Sequence, residues 1–399
     1  MNLPCTNHDL SPTWLDSSLE TFLSIELDGS KGSNRATGNK PQIAACNDLE
    51  AIQAWLARYA DTPTTFQNYR KEAERLLLWS VLQLGKPLSA LTHEDLLSYQ
   101  AFLADPQPAE RWVMPTRRKA PRQDPRWRPF AGPLAPTSRR QTIIILNTLF
   151  TWLVSAGYLA GNPLALSRQR ARKARPRITR YLDESLWNEV KTTIESLPCE
   201  TARAQAHYCR VRWLFSLLYL CGLRISEVAG NTMGGFFRRH GADGRERWWL
   251  EVTGKGDRTR LVPATEQLMA ELARYRQTHN LTPLPRAGEE TPLLLPIHGQ
   301  SRPMTRSAIH LIVKTVFSRT AARLRAASPV LSPHAELLEQ ASAHWLRHTA
   351  GSRMADGQLD LRYVRDNLGH ATLNTTSHYL HAEDEIRHRE TERCHRLDW

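Results

Sequence analysis

The segment SRQRARKARPRITR, residues 167–180, constrains the fold of this chain more than any other. Seven of its fourteen residues are Lys or Arg and none is acidic, so it is too charged to pack inside a core. A chain of 399 residues also exceeds one ordinary core. We therefore predict a basic linker here, between domains at 47–166 and 181–399. Residues 1–46, rich in Ser, Asn, Gly and Pro, are expected to be a flexible lead-in.

The positive charge is concentrated around this linker. Between residues 110 and 180, sixteen Lys and Arg face two acids, Glu110 and Asp124, and the excess accounts for the whole net charge of +13. A localised basic stretch favours a polyanion or an acidic surface as the large partner. The 41% hydrophobic content with 12 tryptophans indicates a globular protein.

The predicted fold class is mainly α with a small β-hairpin. Before the linker, apolar residues recur at helical spacing in four segments that begin near residues 48, 64, 92 and 137. Thr92 with Asp95, and Ser138 with Gln141, resemble capping boxes. After the linker, helical periodicity covers 183–197, 201–221, 264–279, 305–325, 335–354 and 359–368, and resumes near 374. Alternating apolar positions flank a Gly-Lys-Gly-Asp turn in residues 245–264, which predicts the hairpin.

A Pro-rich basic insertion at 105–135 interrupts the first helical domain. Its seven prolines exclude a regular helix. Trp112, Arg126, Trp127 and Arg128 would suit stacking on DNA and contacts with its backbone. The alternative interpretation is a solvated loop without a role.

Composition also argues for a cytoplasmic protein without a membrane span. The six cysteines form no Cys-x-x-Cys pair, which fits a reducing compartment, and residues 1–20 lack a secretory signal. Residues 141–167 carry no charge, but Asn, Thr, Gly and Pro residues interrupt them, so we expect an amphipathic core helix that ends near Gly157.

Four short clusters in the second domain carry strong donors or acid-base groups. The first two are Arg224 with Glu227 on a helix, and Lys255 at the hairpin tip. The third places His344, Arg347 and His348 along one stripe of a helix, and the fourth holds His370 and Tyr379. Histidines four apart also suit zinc, but no Glu follows His344 and an arginine lies between them, so no metal is expected.

These clusters suit a phosphodiester if they converge. Two guanidinium groups, Arg224 and Arg347, would stabilise the charge on its non-bridging oxygens. A phenol would be the nucleophile, a histidine (344 or 370) would accept its proton, and Lys255 would protonate the departing sugar oxygen. Such a reaction needs no cofactor.

In this order, GLRISE, the hairpin lysine, HWLRH, LGH and a tyrosine nine residues after the last histidine resemble the tyrosine recombinase (phage integrase) family over about residues 48–385. The resemblance implies a SAM-like helical core-binding domain followed by a tyrosine-recombinase catalytic domain. It assigns Arg224, Lys255, His344, Arg347 and His370 to the scissile phosphate and makes Tyr379 the nucleophile, with a 3′-phosphotyrosyl link and a free 5′-hydroxyl as products. Glu227 would orient the first arginine, and His348 would support its helix.

The resemblance also implies partners. These are double-stranded DNA with an inverted-repeat core site, a homotetramer on two duplexes at synapsis, and an accessory DNA-binding protein, in a cytoplasmic, nucleoid-associated setting. The residues expected on DNA are Arg117, Arg118, Lys119, Arg126, Arg128, Arg139, Arg140, Arg170, Arg172, Lys173 and Arg175. Residues 1–46 are too short and irregular for a separate arm-binding domain. The long insertion favours a mobile-element role, in integration, excision or cointegrate resolution, over chromosome-dimer resolution.

Three other functions remain open at this point. A non-catalytic regulator would use residues 360–381 as a DNA-binding helix-turn-helix. A metal-dependent nuclease would use the histidines as ligands, although clustered carboxylates are lacking. A type IB topoisomerase would share the tyrosine chemistry but need neither a specific site nor a second duplex.

Overall fold

The computed structural model describes residues 26–37, 41–116, 120–121, 124–167, 180–241, 243–254, 256–297 and 302–370. The chain divides into two compact units, unit 1 (Met1–Arg172) and unit 2 (Lys173–Trp399). Each unit has its own hydrophobic core. None of the described helices is long and apolar enough to cross a membrane.

Unit 1 is helical in its described residues. Its α-helices are α1 (Asp48–Ala57), α2 (Pro63–Trp79), α3 (His93–Ala104), α4 (Ala109–Trp112) and α5 (Pro136–Ser155). A π-turn, Ser80–Leu84, prolongs α2 until Gly85 ends it in the left-handed conformation at φ 66°. The predicted capping box of Thr92 and Asp95 begins α3. The cap predicted at Ser138 is wrong: α5 begins two residues earlier at Pro136, whose fixed φ suits the first helical turn.

Part of the expected lead-in is folded onto unit 1. Asn34 exchanges hydrogen bonds with Gly161 at 2.9 and 3.1 Å, and Arg35 stacks over the ring of Tyr158 at 3.7 Å. The buried Asp48 accepts from the Tyr158 hydroxyl at 2.8 Å. These contacts attach Asn34 and Arg35 to the rest of unit 1, an attachment that the expectation of a flexible lead-in did not include.

The described residues of the Pro-rich insertion also contribute to the core. Trp112 is 1% exposed and Phe130 is fully buried, and both belong to the core of unit 1. The indole N–H of Trp112 donates to the side chain of Gln83 at 3.3 Å. Trp112 is therefore not available to stack on DNA, contrary to expectation. Its large apolar ring stabilises this small bundle when it is buried in the core.

Unit 2 combines helices with one small antiparallel sheet. Its helices are α6 (Glu184–Glu195), α7 (Ala202–Leu220), α8 (Ile225–Gly230), α9 (Glu266–Gln277), α10 (Arg306–Ala327), α11 (Ser332–Gln340), α12 (Ala343–Asp356) and α13 (Leu361–Leu368). The sheet order is β1 (Phe236–His240), β2 (Glu246–Thr253) and β3 (Thr259–Ala264), and β2 with β3 is the predicted hairpin.

Two features of unit 2 differ from the sequence-based expectation. Strand β1 was not predicted, because FFRRH alternates too briefly to indicate a strand by itself. The helix expected at 335–354 is two helices, since Ala341 and Ser342 are extended between α11 and α12. Lys314 of α10 donates to the carbonyls of Glu339 and Ala341, so a tertiary contact satisfies the interrupted helix end.

Candidate active site

The structure describes four of the six residues predicted to act in catalysis. They are Arg224 at the start of α8, His344 and Arg347 on α12, and His370 just after α13. Lys255 and Tyr379 lie outside the described residues. In the sequence, Lys255 falls between the end of β2 and the start of β3.

Arg224 and Glu227 form a close ion pair at the start of α8. Arg224 is the N-cap residue, and its guanidinium donates to Glu227 Oε1 at 2.8 Å while its backbone N–H donates to Oε2 at 2.9 Å. Glu227 is 1% exposed, whereas the side chain of Arg224 is 36% exposed. The carboxylate therefore holds an arginine whose charge still reaches the surface of the unit.

Arg260, which no sequence motif had singled out, is a second partner of the same carboxylate. Arg260 of β3 donates from Nη1 to Glu227 Oε1 at 2.9 Å and from Nη2 to Oε2 at 2.8 Å. Burial opposes ionisation of Glu227, but the hydrogen bonds and charge of Arg260, assisted by Arg224, hold its pKa at about 2. The alternation of β3 could have identified this residue as inward-facing, because Arg260 shares a face with the buried Val262 and Ala264.

Arg347 joins three segments that are distant in sequence. It is 1% exposed on α12 and donates to the carbonyl of Gly222, between α7 and α8, and to that of Leu368, at the end of α13. Gly222 has φ +58°, and a Cβ there would lie 2.5 Å from Leu368 Cδ2. The close approach of these segments therefore fixes the guanidinium of Arg347.

The three histidines are partly buried in a positively charged setting. Burial lowers the pKa of His344 and of His370, and the charges of Arg347 and Arg224 lower both further, for His370 to about 4. Burial and the neighbouring His344 lower the pKa of His348 to about 4, and the two rings are 4.3 Å apart, edge to face. His344 and His370 are thus neutral near pH 7 and suited to accept a proton.

These contacts bring together the described residues of three of the four sequence clusters, and Lys255, the other cluster, lies outside the described residues. The positive charges of Arg224 and Arg347, the two arginines expected on a phosphodiester, lower the pKa of both His344 and His370. The buried carboxylate of Glu227 holds the guanidinium of Arg224 in place. Within the described residues, no group of three or more His, Cys, Asp or Glu is arranged to hold a metal ion. The arrangement suits an anionic, oxygen-rich ligand such as a phosphodiester.

Four of the arginines expected on DNA lie in the described part of unit 1. Arg126 is exposed and pairs with Asp124 at 2.7 Å, and Arg140 is exposed on α5, one residue after Arg139. Arg128 donates to the backbone carbonyls of Glu110, Pro125 and Trp127, so it organises the insertion. Outside the described residues lie Arg117, Arg118, Lys119, Arg170, Arg172, Lys173 and Arg175, whose roles stay predictions.

Residues 190–385 match the model of the phage integrase family. This part of the chain belongs to that family. Tyrosine recombinase XerC of Xylella fastidiosa is 26% identical over 319 residues, which cover 80% of this chain and 86% of that protein. Tyrosine recombinase XerD of Shewanella oneidensis is 28% identical over 249 residues, which cover 62% and 71%. The chain is accordingly a tyrosine recombinase, an enzyme of the DNA strand-transferring class.

Solved integrase structures share the fold of this recombinase. The XerH site-specific recombinase bound to its difH substrate matches with a TM-score of 0.56 and 16% identity, over 87% of this chain and 85% of that one. The Tn1549 transposon integrase in complex with transposon right end DNA matches with a TM-score of 0.52 and 17% identity, over 87% and 99%. A lambda integrase dimer bound to a core site matches at 0.52 and 13%, over 83% and 76%. The predicted fold class, mainly α with a small sheet and two domains, is confirmed.

Proposed function

We propose that this recombinase cuts and rejoins duplex DNA at a specific site through a 3′-phosphotyrosine on Tyr379. The observation that carries the proposal is the clustering of Arg224, Arg347 and two neutral histidines, which come from the start of α8, from α12 and from the turn after α13. A pair of fixed guanidinium groups beside neutral proton acceptors is what an in-line attack on a phosphodiester requires.

The proposed reaction balances without a cofactor. The phenol oxygen of Tyr379 attacks phosphorus as its proton passes to His344 or His370, and the new phosphotyrosyl bond replaces the bond to the 5′ oxygen. Lys255 gives a proton to that departing oxygen. Arg224 and Arg347 stabilise the negative charge that grows on the non-bridging oxygens. A 5′-hydroxyl of another strand then reverses these steps, so the energy of the broken bond is kept.

A duplex with a nick close to the cleavage point tests this chemistry. The duplex is chosen by binding selection from a random-sequence library, and its short cut end diffuses away, which traps the covalent complex. With chelator present, we expect a covalent protein-DNA band from the wild type and none from Tyr379→Phe, with equal binding by both. Tight binding without a band from the wild type would instead favour the non-catalytic regulator.

The products of a plasmid reaction test the biological role. We propose integration, excision or cointegrate resolution of a mobile element, by a homotetramer on two inverted-repeat core sites. On a supercoiled plasmid with two copies of the selected site, strand exchange yields two circles, and on separate plasmids it yields one fused circle. Relaxation of supercoils with no exchanged product would contradict this role and favour a type IB topoisomerase.

A further inference from the structure

We propose that Arg260 is a positioning residue, which holds the Arg224 segment and the His370 segment in one arrangement through Glu227 and the carbonyl of Asn367. The inference rests on the proposed function, because its effect is on the cleavage of a phosphodiester. Arg260 is on β3 and contacts both segments through these two partners.

Arg260 donates hydrogen bonds from all three nitrogens of its guanidinium. Nη1 and Nη2 form a two-pronged pair with Glu227, and Nε donates to the carbonyl of Asn367 at 2.9 Å. The side chain of Arg260 is 11% exposed, and that of Glu227 is 1% exposed. Bidentate pairs of this kind have strong directional preference, so they fix orientation as well as distance.

Both partners lead directly to predicted active-site residues. The two Glu227 oxygens that accept from Arg260 also accept from the guanidinium and the backbone N–H of Arg224. Asn367 is three residues before His370, and the carbonyl of the next residue, Leu368, accepts from Arg347. One arginine thus links the hairpin to the two segments that carry Arg224 and His370.

The chain leaves room for this network at two glycines. A Cβ at Gly369 would lie 2.8 Å from Arg260 Cδ, and one at Gly254 would lie 3.0 Å from Glu227 Oε1. Gly369 also has φ +62°, which favours glycine. A lysine carries its three N–H donors on one nitrogen and has no planar fork, so it cannot reproduce the bidentate geometry with Glu227.

Loss of the fork has a defined consequence for the site. Without Arg260, Arg224 is the one charged partner that the buried Glu227 carboxylate keeps within the described residues, and the carboxylate draws that guanidinium away from the phosphate. The turn before His370 also loses its anchor on the sheet. A misplacement of about 1 Å at such a site costs on the order of 100-fold in rate, and we expect that loss in cleavage and not in DNA binding.

The unit offers a matched control for this loss. Arg276 is 1% exposed and forms the same type of fork, with Glu289 at 2.7 and 3.1 Å, together with a hydrogen bond from Nε to the carbonyl of Thr282. It lies on α9, and within the described residues its guanidinium bonds Glu289, Thr282 and Met233 rather than a residue of the active site. Arg276→Met therefore removes an equivalent buried ion pair and reports on stability alone.

The experiment compares single-turnover cleavage of the nicked duplex by full-length proteins. We expect Arg260→Met to form the covalent complex about 100-fold more slowly than the wild type with unchanged binding, Arg260→Lys to recover part of the rate, and Arg276→Met to match the wild type below its melting temperature. A rate for Arg260→Met equal to that of Arg276→Met would overturn the inference alone. Absence of a band from the wild type would overturn the proposed function, and the inference with it. If Arg260→Met does not fold, Arg260→Lys decides, because full activity of the lysine variant would mean that charge without the fork is sufficient.

A duplex with sulfur in place of the bridging 5′ oxygen distinguishes two ways in which Arg260 could act. It could position Arg224 and His370, or it could position Lys255. A thiolate leaves without a proton, so it restores cleavage to a variant that lacks the general acid, such as Lys255→Ala. We expect no such restoration for Arg260→Met, because its defect lies at Arg224 and His370. Restoration would mean that Arg260 acts by placing the hairpin lysine, and would overturn the route through Glu227 and Asn367.

Discussion

At the scale of single residues, the site depends on one buried carboxylate between two arginines. Glu227 is nearly inaccessible to water, and it stays ionised because Arg260 and Arg224 together donate four hydrogen bonds to it. An ion pair this buried does little for stability as a whole, but removal of one partner leaves an uncompensated charge. Such an arrangement fixes the geometry of the site but tolerates substitution of either partner poorly.

Substitution of Glu227 is expected to destabilise unit 2 in a pH-dependent way. We predict that Glu227→Gln lowers the free energy of unfolding by about 3 kcal/mol at pH 7, because two arginines lose their buried partner. The folded pKa of about 2 lies below the ordinary 4.5, so the stability that Glu227 confers is present above pH 4.5 and is lost as the pH falls toward 2.

Urea unfolding of both proteins at several pH values checks this sign. The difference between wild type and variant should shrink by about 1 kcal/mol between pH 4.5 and pH 3.5. A difference that stays constant over this range would contradict the depressed pKa of Glu227.

The histidines predict the acid limit of the cleavage reaction. Burial, with the charges of Arg347 and Arg224, lowers the pKa of His370 to about 4, and that of His344 moves in the same direction. A proton acceptor must be neutral, so single-turnover cleavage should stay level from pH 7.5 to about 5.5 and fall only below that range. A loss of rate centred at the ordinary histidine pKa of about 6.5 would argue against both histidines as acceptors.

At the scale of elements, the sequence predicts most helices but not what joins them. Helical spacing and caps located α1, α3, α6 and α7 to within a few residues, because these signals are local. The break between α11 and α12 depends on Lys314 of another helix, and the burial of Trp112 depends on packing of the insertion. Arg260 was missed for the same reason, since its partners are 33 and 107 residues away.

Substitution of Gly222 tests how the junction between α7 and α8 holds the site. We predict that Gly222→Ala reduces cleavage by at least about 10-fold and destabilises unit 2, because φ +58° and the contact with Leu368 both oppose a Cβ. The carbonyl of Gly222 would then shift from Arg347. Single-turnover cleavage and thermal unfolding measure the two effects.

Gly244 supplies the control for this substitution. It has φ +73° in the turn between β1 and β2, with no atom within 4 Å of an added Cβ. Gly244→Ala carries the backbone strain without the clash, so it should unfold earlier and yet cleave at the wild-type rate. Equal loss of cleavage in both variants would mean that strain, and not the contact with Leu368, is responsible.

At the scale of the whole molecule, the charge distribution predicts how binding responds to salt. The sixteen Lys and Arg between residues 110 and 180 far exceed the two acids of that stretch, Glu110 and Asp124. Each phosphate that a protein neutralises contributes about 0.9 to the slope of log affinity against log salt. We therefore predict that replacing Arg170, Arg172, Lys173 and Arg175 by Gln together lowers this slope by about 3.6, and weakens binding alike on specific and random duplexes.

Binding titrations at several salt concentrations, with the four-residue variant beside a control, decide this last prediction. The control replaces Arg238 of β1 and Arg247 of β2. Arg238 is already paired with Glu246 at 3.0 Å, and Arg247 with Asp243 between the two strands. Its slope should match the wild type, because neutralised arginines release no counterions from DNA. An unchanged slope in the four-residue variant would place the linker away from the DNA backbone. In that case the charge between residues 110 and 140 would have to supply the affinity, through Arg139 and Arg140 on unit 1.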